Sequence, residues 1–96
     1  MKIEWSLFAI EDRNTIFDYI EQDNPHSAIG LDEHIEEQTK KLLQFPECGR
    51  PGRVEGTREI ILSNARYILA YRINRDTIRV LRVLHGALQW PQSMSD

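Results

Sequence analysis

A chain of 96 residues is one domain by size, and it buries roughly 60–65% of the surface its unfolded form exposes, a thin but sufficient core. A net charge of −3 and a single cysteine exclude a strongly basic nucleic-acid binder and a disulfide-held scaffold. The longest apolar run is five residues, 67–71, against the roughly 20 that a membrane helix needs, so a soluble protein with no membrane segment is expected.

The opening Met1-Lys2-Ile3-Glu4-Trp5 is too charged for a secretory leader, and lone Cys48 reads as a loop thiol in a reducing cytoplasm. The small net charge hides a division. Residues 1–47 hold four basic and eleven acidic side chains, giving −7; residues 48–96 hold eight basic and four acidic, giving +4. All eight of those cations are arginine, whose planar fork suits carboxylates and phosphates. Two faces with different partners are expected, unless the halves neutralise each other inside the fold.

Residues 2–6 alternate apolar and polar and predict a short strand. From 7 to 22 the spacing is helical, with Phe8, Ala9, Ile16, Phe17 and Ile20 on one face. Asp23-Asn24-Pro25 ends that helix and starts another, Asn24 capping and Pro25 occupying the first turn. The second helix is predicted over 25–44, with Ala28, Leu31, Ile35, Thr39, Leu42 and Leu43 inward and Lys40-Lys41 at the end the dipole favours. His26 and His34 lie on it without a local third ligand and read as solvated histidines, so no metal is expected. Residues 45–52 read as a turn-rich connector. Strands follow at 58–62, 66–73 and 77–85, joined by the short turns 63–65 and 74–76, which imply antiparallel neighbours. The expected fold is therefore α+β: an N-terminal strand, a two-helix hairpin, then a three-stranded antiparallel meander, forming one sheet packed on the helices. The domain is expected over 1–86, with a loose C-terminal tail over 87–96.

These residues resemble the RelE/ParE superfamily of type II toxin–antitoxin toxins, in its ParE-like branch. The resemblance rests on Trp5-Ser6 before an acidic helix, then Asp18-Tyr19-Ile20, Asp23-Asn24-Pro25, Leu43 and Pro46, Gly49-Arg50-Pro51-Gly52 and Gly56-Thr57-Arg58-Glu59. It continues through residues 67–72 and 80–86, in family order and spacing over about residues 3–86. It implies a toxin, a ParD/RelB-like antitoxin from the adjacent gene that wraps it with a helix and an extended piece, and either gyrase or the ribosome as target. RelE-type members cut messenger RNA in the ribosomal A site and need phosphate-holding cations with a general base. Here Tyr67 is followed by Ile68, and Ala87 and Leu88 stand where a basic pair would follow His85-Gly86. The favoured reading is a ParE-like inhibitor of DNA gyrase, with no catalytic residues and no cofactor. The alternatives are a ribosome-dependent endoribonuclease using His85 with Arg58 and Arg82, or a non-toxic remnant that still binds antitoxin.

Arg66, Arg72, Arg79 and Arg82 are assigned to the antitoxin, because arginine mixed with aliphatics on a strand suits a partner's acidic segment. Strict alternation puts Arg72 with Ile68 and Ala70, Arg82 with Ile78 and Val80, and Arg79 with Leu81 and Val83. Arg58, Leu88 and Trp90 are assigned to the toxic target; an ion pair of Arg58 with Glu59 or a second-helix acid is the structural alternative. Trp90 in a polar tail either folds back on the sheet or meets a partner. Growth arrest and plasmid or genome maintenance are the implied biology, with no sequence-specific DNA binding of its own.

Overall fold

Ser6 separates the first two elements because its side chain has two tasks. In the computed structural model, which describes residues 1–62 and 66–94, Ser6 is fully buried. Its hydroxyl caps helix α1 (Leu7–Glu21) by accepting the Ala9 N–H at 3.0 Å, and donates to the Leu81 carbonyl at 2.7 Å. Strand β1 (Lys2–Trp5) therefore ends where the helix begins. Asn24 caps α2 (Pro25–Lys41) as expected, accepting from Ser27 N, with Pro25 in the first turn. The helix stops at Lys41 rather than 44. The next amides, of Leu42, Leu43 and Gln44, bond three residues back to Thr39, Lys40 and Lys41, tightening the chain out of the α-helix.

Strands β2 (Arg50–Pro51), β3 (Arg58–Leu62), β4 (Tyr67–Asn74) and β5 (Thr77–His85) complete the chain. The sheet order is β1-β5-β4-β3-β2. The antiparallel meander β3-β4-β5 is as expected, but the sheet is mixed and has five strands, since β1 pairs parallel to β5 and the connector contributes β2. The expected turn at 63–65 and the last two tail residues lie outside the described residues.

One face of the sheet carries the helices. Ala9, Leu31, Ile35 and Leu42 pack there on Ile60, Leu62, Leu69, Tyr71, Ile78, Val80 and Val83, with Trp5, Ile16, Ile20 and Tyr67 partly buried alongside. Phe8 does not join them; it is 49% exposed and lies near Arg82 instead. The helices are tied by Arg13 of α1, which reaches Asp32 and Glu36 of α2, both at 2.6 Å, and passes over the Trp5 ring. Burial lowers the Arg13 pKa, but the bonds to the two carboxylates outweigh it and hold it above its ordinary value.

Tyr71 anchors the connector to the core. Its hydroxyl donates to the Pro46 carbonyl at 2.6 Å and accepts the Gly49 N–H at 3.0 Å. A Cβ on Gly49 would stand 2.6 Å from that hydroxyl, so the approach requires glycine. Burial raises the Tyr71 pKa, Cys48 and Glu47 adding to it, against the Gly49 N–H bond and Arg58.

The faces of β5 depart from strict alternation. Tyr71 pairs with Val80 but Ala70 pairs with Arg82, so Leu81 is an inserted bulge residue. Ile78 and Val80 face the helices before it, and Val83 does so after it. Leu81 lies in a different cluster, with Ala70. Arg79 therefore does not share a face with Val83, nor Arg82 with Ile78 and Val80.

Candidate functional site

The face of the sheet turned away from the helices holds most of the arginines. Val54, Ala70, Leu81 and Met94 form a second apolar cluster here, with Leu84 and Trp90 packed against it. Val54 comes from the β2–β3 loop, closed by Thr57, whose hydroxyl donates to the Val54 carbonyl at 2.6 Å. Glu59 pairs with Ala70 across the strands, so its carboxylate shares this face, with its side chain only 1% exposed. A charge so buried needs partners. Arg50 supplies one at 3.0 Å, the Arg53 backbone N–H another at 2.8 Å, and Arg53 Nε lies at 3.8 Å. Neighbouring Arg58 points to the opposite face, so the anticipated Arg58–Glu59 pair does not form.

The C-terminal segment folds back on this face as far as Met94, the first of the two outcomes anticipated for Trp90. Met94 is 8% exposed in the second cluster, Arg53 stacks 4.4 Å over the Trp90 ring, and Trp90 Nε1 donates to the His85 carbonyl at 3.4 Å. Leu88 is 57% exposed.

Of the four arginines assigned to a partner, Arg72 and Arg79 are directly opposite each other across β4 and β5. Like charges in that position destabilise a sheet unless something answers them. Arg79 Nη1 donates to the Trp5 carbonyl at 3.5 Å and lies 3.9 Å from Glu4, and among the described residues Arg79 Nε is a buried nitrogen without a hydrogen-bond partner. Arg82 turns round the edge of β5 to Asp12 of α1, at 2.7 and 2.9 Å. That bond is the main cause holding the Arg82 pKa above its ordinary value, against desolvation. Arg66 is exposed at the entry to β4, six positions or roughly 20 Å along the strand from Arg72.

The anticipated catalytic alternative is dispersed. His85 is opposite Tyr67, their rings edge to face at 5.3 Å, and its Nδ1 accepts the Ala87 N–H at 3.1 Å. Arg58 is opposite Tyr71, four positions or roughly 13 Å along β4. Its guanidinium donates to the carbonyls of Glu47 and Gly49 at 3.2 and 2.8 Å. With Arg82 held by Asp12, the three groups do not converge on a phosphate-sized position. Cys48 is exposed, and among the described residues no cluster of three or more His, Cys, Asp or Glu could hold a metal ion. No helix among them is long and apolar enough to cross a membrane.

Arg53, Val54, Glu59 and Met94 belong to this face without any sequence pattern that marks them. Val54 and Met94 stand in aperiodic segments, and a lone glutamate on a strand reads as solvent-facing; only the pairing of Glu59 with Ala70 reveals its burial.

This fold and its arginine face define a class, the small toxins of type II toxin–antitoxin systems. The family model for the ParE toxin of the type II toxin–antitoxin system parDE matches residues 3–90, and the chain belongs to that family. It is 41% identical over 91 residues to Y4kP of Sinorhizobium fredii, a protein named as a toxin, covering 95% of this chain and 94% of that one. A chain from the solved structure of the chromosomal ParDE toxin–antitoxin system of P. aeruginosa superimposes with a TM-score of 0.78. It is 27% identical and covers 88% of this chain and 95% of its own. The protein is a ParE-type toxin.

Proposed function

We propose that this toxin works by binding DNA gyrase rather than by cutting RNA, and that a cognate ParD/RelB-like antitoxin neutralises it along the arginine face. The observation that supports this reading is the dispersal of Arg58, Arg82 and His85: Arg58 is tied to carbonyls and Arg82 to a carboxylate, so these two cations do not bracket the histidine. A general base alone cannot hold and polarise a scissile phosphate. A binding surface needs no such convergence. Arg72 and Arg79 favour an acidic antitoxin segment, joined by Arg82 where its Asp12 partner is exchanged for an antitoxin carboxylate, and by Arg66 at the far end. Leu88, exposed, and Trp90, half-buried beside Arg53, make the candidate contact with gyrase. Arg58 contributes indirectly, by holding the 47–49 loop.

Expression of the chain without antitoxin tests the target. DNA-damage signalling and loss of supercoiling, with protein synthesis continuing, are the expected outcome. Messenger RNA cleaved at the ribosomal A site, abolished by His85→Ala, would restore the nuclease reading.

A further inference from the structure

The end of the sheet opposite His85 carries a separate polar recess, of about 600 Å³, beside the turn between β4 and β5. Glu4, Asn74, Arg75, Asp76, Thr77 and Arg79 line it. Arg79 lies six positions, or roughly 20 Å, along β5 from His85. The volume falls within the roughly 300–1,000 Å³ of sites that hold small molecules, and the lining is charged rather than apolar.

Both arginines of the recess are poorly answered. Among the described residues Arg79 makes one long hydrogen bond, to the Trp5 carbonyl at 3.5 Å, and leaves its buried Nε without an acceptor. Arg75 is exposed, makes no ion pair among the described residues, and holds a φ of +58°. Hairpin turns give such positions to glycine, asparagine or aspartate, because a larger side chain strains the backbone there. The turn is already pinned by β1, whose Lys2 N–H donates to the Asp76 carbonyl at 2.8 Å. Arginine at 75 therefore adds nothing to the turn except a cation at the mouth of the recess. Cations alone would suit any anion, but two carboxylates share the space. The Glu4 side chain is 49% exposed, and Asp76 accepts the Thr77 hydroxyl at 3.2 Å. They repel a bare anion and favour one that carries hydrogen-bond donors beside its charge. We infer that the recess binds a ribose 5-phosphate group, as a ribonucleoside 5′-monophosphate carries it. The phosphate meets the guanidinium forks of Arg75 and Arg79, and the ribose hydroxyls donate to Glu4 and Asp76. This site belongs to the chain without antitoxin, and it depends neither on where antitoxin binds nor on gyrase being the target.

The test titrates the whole chain with adenosine 5′-monophosphate and follows the Arg79 Nε–H signal and the amides of 74–79 by NMR. A dissociation constant of about 1 mM or below is expected. Ribose 5-phosphate should bind as the nucleotide does, since no lining residue is assigned to the base. Inorganic phosphate, adenosine and the 2′-deoxy nucleotide each lack part of the matched set and should bind about threefold or more weakly. Arg75→Asn installs a residue suited to positive φ, so the melting temperature should hold or rise while affinity falls about tenfold or more. Glu4→Gln removes a repelling carboxylate, and should strengthen inorganic phosphate while narrowing its difference from the nucleotide. No shift at about 10 mM nucleotide, shifts confined to residues outside the recess, or affinity indifferent to both substitutions would overturn the inference. So would inorganic phosphate binding as tightly as the nucleotide to the parent, which would leave only a simple anion site. Much tighter binding of a short oligoribonucleotide would also overturn it, by assigning the recess to a nucleic-acid chain.

Discussion

Asp12 is where a single substitution should be felt most clearly outside the apolar core. Strand β1 covers β5 only as far as Val80, and beyond that point the edge is closed by side chains of the first helix and its cap. Asp12 Oδ2 accepts the Val83 N–H at 3.0 Å and Arg82 Nε at 2.7 Å, while Oδ1 accepts the second fork nitrogen at 2.9 Å. Asp12→Ala leaves the Val83 N–H unanswered and Arg82 unpaired, at a site where the parent's Asp12 and Arg82 side chains are only 14% and 26% exposed. A hydrogen bond to a charged group contributes about 1.5–3 kcal/mol. The ion pair adds about 1 kcal/mol, because Arg82 can swing into water once released. The expected loss is therefore about 2–4 kcal/mol, a fall in melting temperature of roughly 10–25 °C for a domain this size. Urea denaturation of Asp12→Ala, Arg82→Ala and the double variant measures it, and the cycle should return a coupling of about 1–2 kcal/mol. Asp12→Asn keeps an acceptor for Val83 and should lose less. A loss for Asp12→Ala below about 0.5 kcal/mol, or additive single variants, would refute this account of the edge.

Other expectations follow from the same geometry. Tyr71→Phe strands the Gly49 N–H and the Pro46 carbonyl and should cost about 1–3 kcal/mol by denaturation. Because the folded Tyr71 pKa is raised, its contribution is fully present below the ordinary tyrosine value of about 10 and is lost as pH rises through the folded value; a stability–pH profile of Tyr71→Phe should lack that alkaline fall. Truncation after Gly86 removes Met94 and Trp90 from the second cluster and should cost about 2–4 kcal/mol, so Leu88→Ala, at an exposed position, is the cleaner test of the proposed gyrase contact, with reduced gyrase-mediated DNA cleavage the expected outcome. Reversing Arg72 and Arg79 to glutamate should slow association with an antitoxin fragment about tenfold or more at low salt, read by stopped flow. Unchanged kinetics would remove this face from the interface.

The elements that could be read from the sequence are those fixed by local chemistry. Asn24-Pro25 marks a helix start because a capping carbonyl and a pre-set φ act within four residues. The run at 67–71 marks a central strand because its side chains are buried on both faces, Leu69 and Tyr71 against the helices and Ile68 and Ala70 on the other side. What escaped depends on partners distant in sequence. Arg50-Pro51 reads as a turn because proline cannot serve a central ladder, yet at an edge it can sit with its nitrogen unused. The Leu81 bulge is invisible in a continuous β-branched and aliphatic run, since only the register with β4 reveals the extra residue. The candidate site was legible in part: the sequence supplies the arginines of the meander, but not that Asp12 holds Arg82 or that the C-terminal segment reaches Val54 and Leu81.

The bulge also decides what each arginine can do. Without it, Arg82 would continue the parity of Ile78 and Val80 and be forced toward the helix-side core, where a charge is expensive to bury. The inserted Leu81 fills the second cluster and resets the pleat, so that Val83 returns to the core. Arg82 comes to the edge, within reach of Asp12. Arg79, just before the bulge, stays opposite Arg72, and the two charges face outward together. One inserted residue thus separates an arginine held by Asp12 from two that lie opposite each other on the outer face. An acidic antitoxin segment laid on this face would supply an acceptor for the buried Arg79 Nε. Deleting Leu81 should therefore disturb the core and the arginine face together, whereas Arg79→Ala should weaken antitoxin binding and leave the core packing intact.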